Sequence, residues 1–299
     1  MAFFSVVTSV YNGEEYIRRA VLSVIGQLEK DFEYIIVDNG SFDNTQSILR
    51  RIVSDNPDCN IKIISIKTNK GISGGRNAGI QQAEGKYVCF LDADDYWYPE
   101  KLKIVKETIQ KREGIQAYCH WEDHVKVDEK KAGEYRDINN KDAYMDLLTM
   151  GNCLSTSAMT IERQMIKEIN GFDINLVSGE EDYDCWLRLA KIGCRFLMIH
   201  KILGAWTIRS DSISSKYIQH TEAVLNMLNA HFESLQQEDG IPIRKWINRT
   251  HSKAWISCGR AVSLSGDREQ GSKLYRRALS YDKFAMKAYA GILLNGIKH

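Results

Sequence analysis

Three carboxylates within four residues, Asp92, Asp94 and Asp95, follow an apolar run at residues 87–91. Like charges this close repel, so the cluster is costly unless a cation neutralises it. Hard oxygen ligands with open positions suit Mg²⁺ or Mn²⁺. Such an ion bridges a diphosphate and stabilises a phosphate leaving group as a Lewis acid. The same residues also read as a solvated acidic turn capping the next helix, but their place at the end of an apolar run favours the metal. A second acidic run, Glu180-Glu181-Asp182-Tyr183-Asp184, precedes Cys185-Trp186-Leu187-Arg188. Acids at a helix start are favoured by its dipole. One of them can equally act as a general base, taking a proton from an attacking hydroxyl.

Two further segments carry weaker signals. In Asp38-Asn39-Gly40-Ser41 the Asp can accept hydrogen bonds from a base or ribose, and the segment equally satisfies turn and cap chemistry. Residues 69–77, NKGISGGRN, form a glycine-rich stretch ahead of a helix; backbone amides there can hold phosphate, with Arg76 adding charge. Its spacing matches neither the Walker nor the dinucleotide-binding pattern. Ser9, Tyr11, Trp97, Trp186 and Trp206 lie near these segments, and core packing is the commoner role for each tryptophan. The seven histidines show no metal-binding spacing.

The elements that must position these groups alternate. Strands are expected at residues 3–10, 32–37, 61–66, 87–91 and 116–121. Helices are expected at 14–25, from an Asp43/Asn44 cap to about 53, at 76–83 after a loop at 71–75, and from Pro99. This alternation predicts a mostly parallel α/β sheet flanked by helices. Ligands bind outside the carboxyl ends of such strands, where Tyr11-Asn12, Asp38-Asn39 and Asp92–Asp95 all fall. A further helix is expected at 184–192. From about residue 215 the pattern is helical to the end, with a soft boundary near Ser214. Residues 1–214 therefore read as one α/β domain, with a nucleotide half to about 120 and an acceptor half from about 121; residues 215–299 read as a helical extension.

Composition narrows the classes. The 299 residues carry 40 basic and 39 acidic side chains, which argues against a dedicated nucleic-acid binder. Seven scattered cysteines with no CxxC pair argue against a disulfide framework or a structural zinc, and fit a reducing cytoplasm. The apolar N-terminus lacks a basic region and a cleavage site, and no run is long enough to span a membrane. Arg244, Lys245, Arg249, Lys253 and Arg260, set among Trp246, Ile247 and Trp255, could meet an anionic membrane surface or a lipid-linked acceptor. They also read as an ordinary solvated face.

In order, SVVTSVYNGEEYIRRAVLSVIGQ, YIIVDNGSFDNT, NKGISGGRNAGIQQAEGKYVCFLDADDYWYPEKL and GFDINLVSGEEDYDCWLRLA closely resemble the family-2 glycosyltransferases, over about residues 1–214. The resemblance implies a GT-A fold, a nucleotide-diphosphate sugar donor (UDP foremost), Mn²⁺ or Mg²⁺, and inversion at the anomeric carbon. By position, Ser9, Tyr11 and Asp38 would line the base pocket, and Arg76 would lie near the base or phosphates. Asp94 would be the direct metal ligand, with Asp92 nearer the ribose. Asp182 would be the catalytic base and Glu181 would position it or the acceptor. A saccharide or lipid-linked acceptor in surface-polysaccharide synthesis, at the inner face of the membrane, is the family-level expectation. Two departures stand out. Asn39 replaces a common second Asp. In Trp206-Thr207-Ile208-Arg209, Thr207 stands where the family often has Arg, and Arg209 where it often has His. Arg209 could still neutralise diphosphate charge. A nucleotidyltransferase would also use metal carboxylates on an α/β sheet, but should carry a basic Gly-rich loop after the first strand; here Glu14 and Glu15 follow. Asp92, Asp94 and Asp182 together argue against a non-catalytic nucleotide-sugar-binding module.

Overall fold

The computed structural model describes residues 2–126, 129–209, 216–239 and 243–296. β1 (Phe4–Val10) and β2 (Phe32–Asp38) are buried nearly throughout, as continuous apolar strands covered on both faces should be. α1 (Ile17–Ile25) buries Ile17, Ala20, Val21 and Val24, one helical stripe. It starts three residues later than the periodicity suggests. The amides of Gly13 and Glu14 are taken by Thr45 Oγ1 (2.8 Å) and Asp43 Oδ2 (3.0 Å) across the neighbouring loop. α2 (Thr45–Asp55), β3 (Ile61–Ser65) and α3 (Gly71–Gln82) follow.

α3 corrects the sequence reading of a loop at 71–75. The glycines are inside the helix, and at Gly75 and Gly79 α3 lies against β1 with no room for a side chain. A Cβ at Gly75 would run into Ser9 Oγ, and one at Gly79 into Val7. Asn69 Oδ1 accepts the Gly71 amide (2.8 Å) and Asn39 Nδ2 donates to the Gly71 carbonyl (2.8 Å), which pins the helix start.

After β4 (Tyr87–Phe90) come the short β5 (Tyr96–Trp97), α4 (Lys101–Lys111), β6 (Ala117–Lys126), β7 (Glu129–Gly133), α5 (Ala143–Met150), a 3₁₀ turn at Thr156–Ala158, β8 (Thr160–Glu162), α6 (Arg163–Glu168), α7 (Glu181–Lys191) and β9 (Phe196–Thr207). The sheet runs β3-β2-β1-β4-β8-β6-β9-β5, with β7 on β6. β1 to β4 pair parallel, as does the long β6–β9 ladder, while β8, β5 and β7 pair antiparallel. A register shift at His120–Glu122 bends β6 against β9. β1, β2, β4, α1, α2 and α4 share one core around Phe4, Tyr34, Ile36, Val24, Leu49 and Leu102. Each such side chain contributes about 1.5–3 kcal/mol by leaving water.

The chain divides into two compact units. One comprises residues 1–144, 153–177 and 181–209, and holds the sheet. The other comprises 145–152, 178–180 and 210–299, and holds α8 (Tyr217–Asp239), α9 (Arg244–Leu264), α10 (Arg268–Tyr281) and α11 (Met286–Gly296). Its own core is Leu225, Trp255, Cys258, Val262, Leu274, Tyr275, Ala278 and Ala288. Ser214 lies outside the described residues. No described helix is long and apolar enough to cross a membrane. None of the seven cysteines forms a disulfide.

Candidate active site

The carboxyl ends of β1 and β2 carry Ser9, Tyr11 and Asp38. Asp38 is 3% exposed, and its Oδ1 accepts the Ser41 amide (3.1 Å). Around it the two loops are stitched together. Asn12, at φ 50°, donates its amide to Ser41 Oγ (2.9 Å) and accepts the Phe42 amide on its side chain (3.0 Å). Glu14 accepts from Asn44 N and Nδ2 (3.0 and 2.7 Å), so this acidic residue serves as a loop tie. Tyr11 stands edge-on to Phe42, centroids 6.0 Å apart, and Phe42 is 82% exposed. Phe42 is an open aromatic face that sequence reasoning missed; its signal was a large apolar residue inside a Ser-Phe-Asp turn.

The Asp cluster after β4 splits by environment. Asp95 is buried, accepting Thr207 N (2.7 Å) and pairing with Ser157 Oγ (2.6 Å). Burial, then the neighbouring Asp94, holds its carboxyl well above the usual range. It belongs to the scaffold, so two carboxylates of the three remain open. The side chains of Asp92 and Asp94 are 38% and 31% exposed. Asp94 is raised by partial burial and by Asp92, and lowered by Arg209 and Arg19. Arg209 Nη1 lies 3.9 Å from Asp94 Oδ2, with its guanidinium 4.2 Å from the Tyr16 ring centre.

Arg76, expected beside the base or phosphates, is buried between two carboxylates. Nη2 meets Asp92 Oδ1 (2.7 Å) and Nη1 meets Glu181 Oε1 (2.8 Å), under the Phe172 ring. It thereby ties the β4 cluster to the start of α7. Glu181 is 4% exposed and its Oε2 has no partner among the described residues. Asp182, beside it, is partly exposed and accepts Thr156 Oγ1 (3.1 Å). Burial, with Glu181 next, pushes its carboxyl up to about 7. The two acidic runs, ninety residues apart in sequence, therefore form one connected site.

Other expected or missed groups sort clearly. Trp97 and Trp186 are core residues: Trp97 Nε1 donates to Ser157 O (2.7 Å), and Trp186 packs on Phe172. Trp206 is 37% exposed beside His124. Thr156 and Arg19 carried no local sequence signal. Arg19 Nη2 donates to the Asp94 carbonyl (2.6 Å) and to Thr207 Oγ1 (2.8 Å). Among the described residues no group of three or more His, Cys, Asp or Glu forms a metal cage. Two partly open carboxylates with no nitrogen or sulfur donor suit a hard cation that takes its other ligands from a diphosphate and water.

Comparison with known proteins follows this geometry. The family model described as glycosyl transferase family 2 matches residues 5–169, more than half the chain. The putative teichuronic acid biosynthesis glycosyltransferase TuaG of Bacillus subtilis is 30% identical over 71% of this chain and 81% of its own length. The Escherichia coli UDP-Glc:alpha-D-GlcNAc-diphosphoundecaprenol beta-1,3-glucosyltransferase WfaP is 26% identical over 77% of this chain and 87% of its own. Among solved structures, S. aureus TarS 1-349 in complex with UDP-GlcNAc superposes with a TM-score of 0.61, at 20% identity over 99% of this chain and 89% of that one. The mannosyltransferase PcManGT of Pyrobaculum calidifontis, in complex with GDP-Man and Mn²⁺, gives 0.59 at 17% identity, over 98% and 86%. The structural likeness establishes the GT-A fold. With strand-end carboxylates joined through Arg76 to a second acidic run, and with matches of this extent, the chain belongs to glycosyltransferase family 2.

Proposed function

We propose that this protein is an inverting hexosyl- or hexosaminyltransferase that moves a sugar from a UDP-sugar to a hydroxyl of a saccharide or lipid-linked acceptor, in the synthesis of a surface polysaccharide. One observation carries the reading: Asp182 is a partly exposed carboxylate raised to about 7, joined through Glu181 and Arg76 to Asp92. A base with that affinity accepts a proton at neutral pH without being permanently protonated or inertly ionised. Asp182 takes the acceptor hydroxyl proton as the acceptor oxygen bonds to the anomeric carbon. The bond from that carbon to the donor phosphate oxygen breaks on the opposite face, releasing UDP. Thr156 orients the Asp182 carboxylate by hydrogen bonding. Asp94 and Asp92 are the residues that would hold Mg²⁺ or Mn²⁺, which supplies charge neutralisation to the departing diphosphate. Ser9, Tyr11 and Asp38 line the base pocket, with Phe42 alongside. The UDP donors and the diphosphoundecaprenol acceptor in the relatives' names, and the UDP-GlcNAc complex of TarS, support this choice of substrates.

Titration calorimetry of UDP, GDP and dTDP with and without Mn²⁺ tests the donor site. Metal-enhanced binding of UDP, lost in Asp94→Ala, supports it; a folded protein that binds none of the three refutes it.

Peripheral contact with an anionic membrane is the companion reading for the helical unit. Arg244, Lys245 and Arg249 line a cavity of about 710 Å³ with Asn248, Tyr281 and Asp282, and Phe284 beside Asp282 is 88% exposed. Basic side chains next to an exposed aromatic suit an interfacial surface. Absence of co-sedimentation with anionic vesicles at low salt would remove this reading.

A further inference from the structure

We propose that Arg19, together with Arg209, forms the subsite for the sugar-linked phosphate of the donor, Arg19 supplying from α1 the cation that Thr207 does not. The proposal rests on the transferase reading above and adds a residue and a charge to it. Its basis is a contrast between two arginines. Arg76 is buried, and both of its terminal nitrogens meet carboxylates, so its charge is cancelled where it stands. Arg19 is exposed, and among the described residues Nη2 donates to two neutral acceptors, the Asp94 carbonyl (2.6 Å) and Thr207 Oγ1 (2.8 Å). Among the described residues its charge acts on Asp94 without a direct ion pair, and it has five N–H groups of which these bonds engage one nitrogen. The Tyr96 ring lies under its guanidinium at 4.6 Å, as Tyr16 lies under that of Arg209 at 4.2 Å. An aromatic face holds a guanidinium in place without consuming its donors. Two cations so fixed flank Asp94, the side chain assigned to the metal, from α1 and from the end of β9.

The ligand chemistry follows. A planar guanidinium with free N–H pairs matches a phosphate oxygen pair, more closely than a point charge would. The sugar-linked phosphate gains charge as the sugar departs, and two cations fixed beside Asp94 would meet that charge. Thr207 decides which side chain fills this place. Its short hydroxyl accepts from Arg19, whereas a long cationic side chain at 207 would occupy the space and the role that Arg19 now fills.

Calorimetry with UDP, UMP and uridine, with Mn²⁺ and separately in chelator, separates this from a merely structural tie. Arg19→Ala should weaken UDP about tenfold or more while changing UMP by less than about threefold, since one charge-assisted contact to the second phosphate is lost. Arg19→Gln keeps an uncharged amide donor on a shorter side chain, and should weaken UDP like Ala. The double variant Arg19→Ala/Thr207→Arg should recover UDP affinity to within about threefold of the parent, in chelator as well as with metal. Full UDP affinity in Arg19→Gln, equal loss of UDP and UMP, or no recovery in a folded double variant would each overturn the subsite. A parent protein that binds no nucleoside diphosphate at all overturns the donor reading beneath it instead.

Discussion

If Asp182 is the base, its protonation should be readable in the rate, and its neighbours should move it in known directions. Its carboxyl sits at about 7, raised by burial and then by Glu181, and lowered by Arg76 and by the Thr156 hydrogen bond. The base works ionised, so kcat/KM should rise with pH, about tenfold per unit below about 7, and level off above it. Glu181→Gln removes the like charge and leaves the Arg76 cation with one carboxylate fewer. Both effects favour the ionised form, so the midpoint should fall by about one pH unit, roughly 1.4 kcal/mol. The rate at pH 6 relative to pH 8 should then rise about fivefold over the parent, a ratio independent of how much active protein survives. Thr156→Val withdraws a bond to the charged form and should move the midpoint upward. The assay is transfer from UDP-sugar under subsaturating donor, each variant measured against itself across pH. An unmoved or raised midpoint in Glu181→Gln would refute the assignment of Asp182 as the titrating base.

Asp182→Asn should nearly abolish transfer while leaving UDP affinity within about threefold by calorimetry; equal loss of both would contradict the role. The same variant should melt later at alkaline pH. A raised carboxyl makes the folded state bind protons more tightly than the unfolded chain, so its cost appears as pH climbs through about 7 and is absent in acid. Calorimetric melting should therefore show a gain of ~2–4 °C at pH 8 and little at pH 4. Asn39→Asp restores the commoner family residue but places a carboxylate against Gly71 O and Asn69 Oδ1, where Nδ2 now donates; denaturant unfolding should show a loss of about 1–3 kcal/mol. Arg76→Met leaves Glu181 buried without its cation and should cost about 3–5 kcal/mol by the same measurement.

The first half of the sheet was legible in the sequence because its signals are local. Strands β1, β2 and β4 are mostly apolar runs that reach an Asp or Asn at their end or two residues beyond it, and the α1 stripe repeats at helical spacing. The Asp cluster was visible for the same reason, since three like charges at a strand end need a cause within a few residues. What the sequence determined, then, was the parallel α/β frame, the family, and which acidic runs to examine. Tertiary structure alone decided the rest. β8 is three residues long and β5 two, too short for any periodicity, and they join the sheet only because β4, β6 and β9 offer open edges. The glycines of α3 read as a loop because propensity counts glycine as a breaker, whereas at Gly75 and Gly79 the β1 side chains leave no space for a larger residue. The identity of the cluster was visible, but its division was not: Asp95 faces Ser157 and Thr207, and Asp92 faces Arg76, partners 16 to 112 residues away. Whether an arginine is cancelled, like Arg76, or left charged, like Arg19, depends on which acceptors folding brings within 3 Å, and that distance is a property of packing.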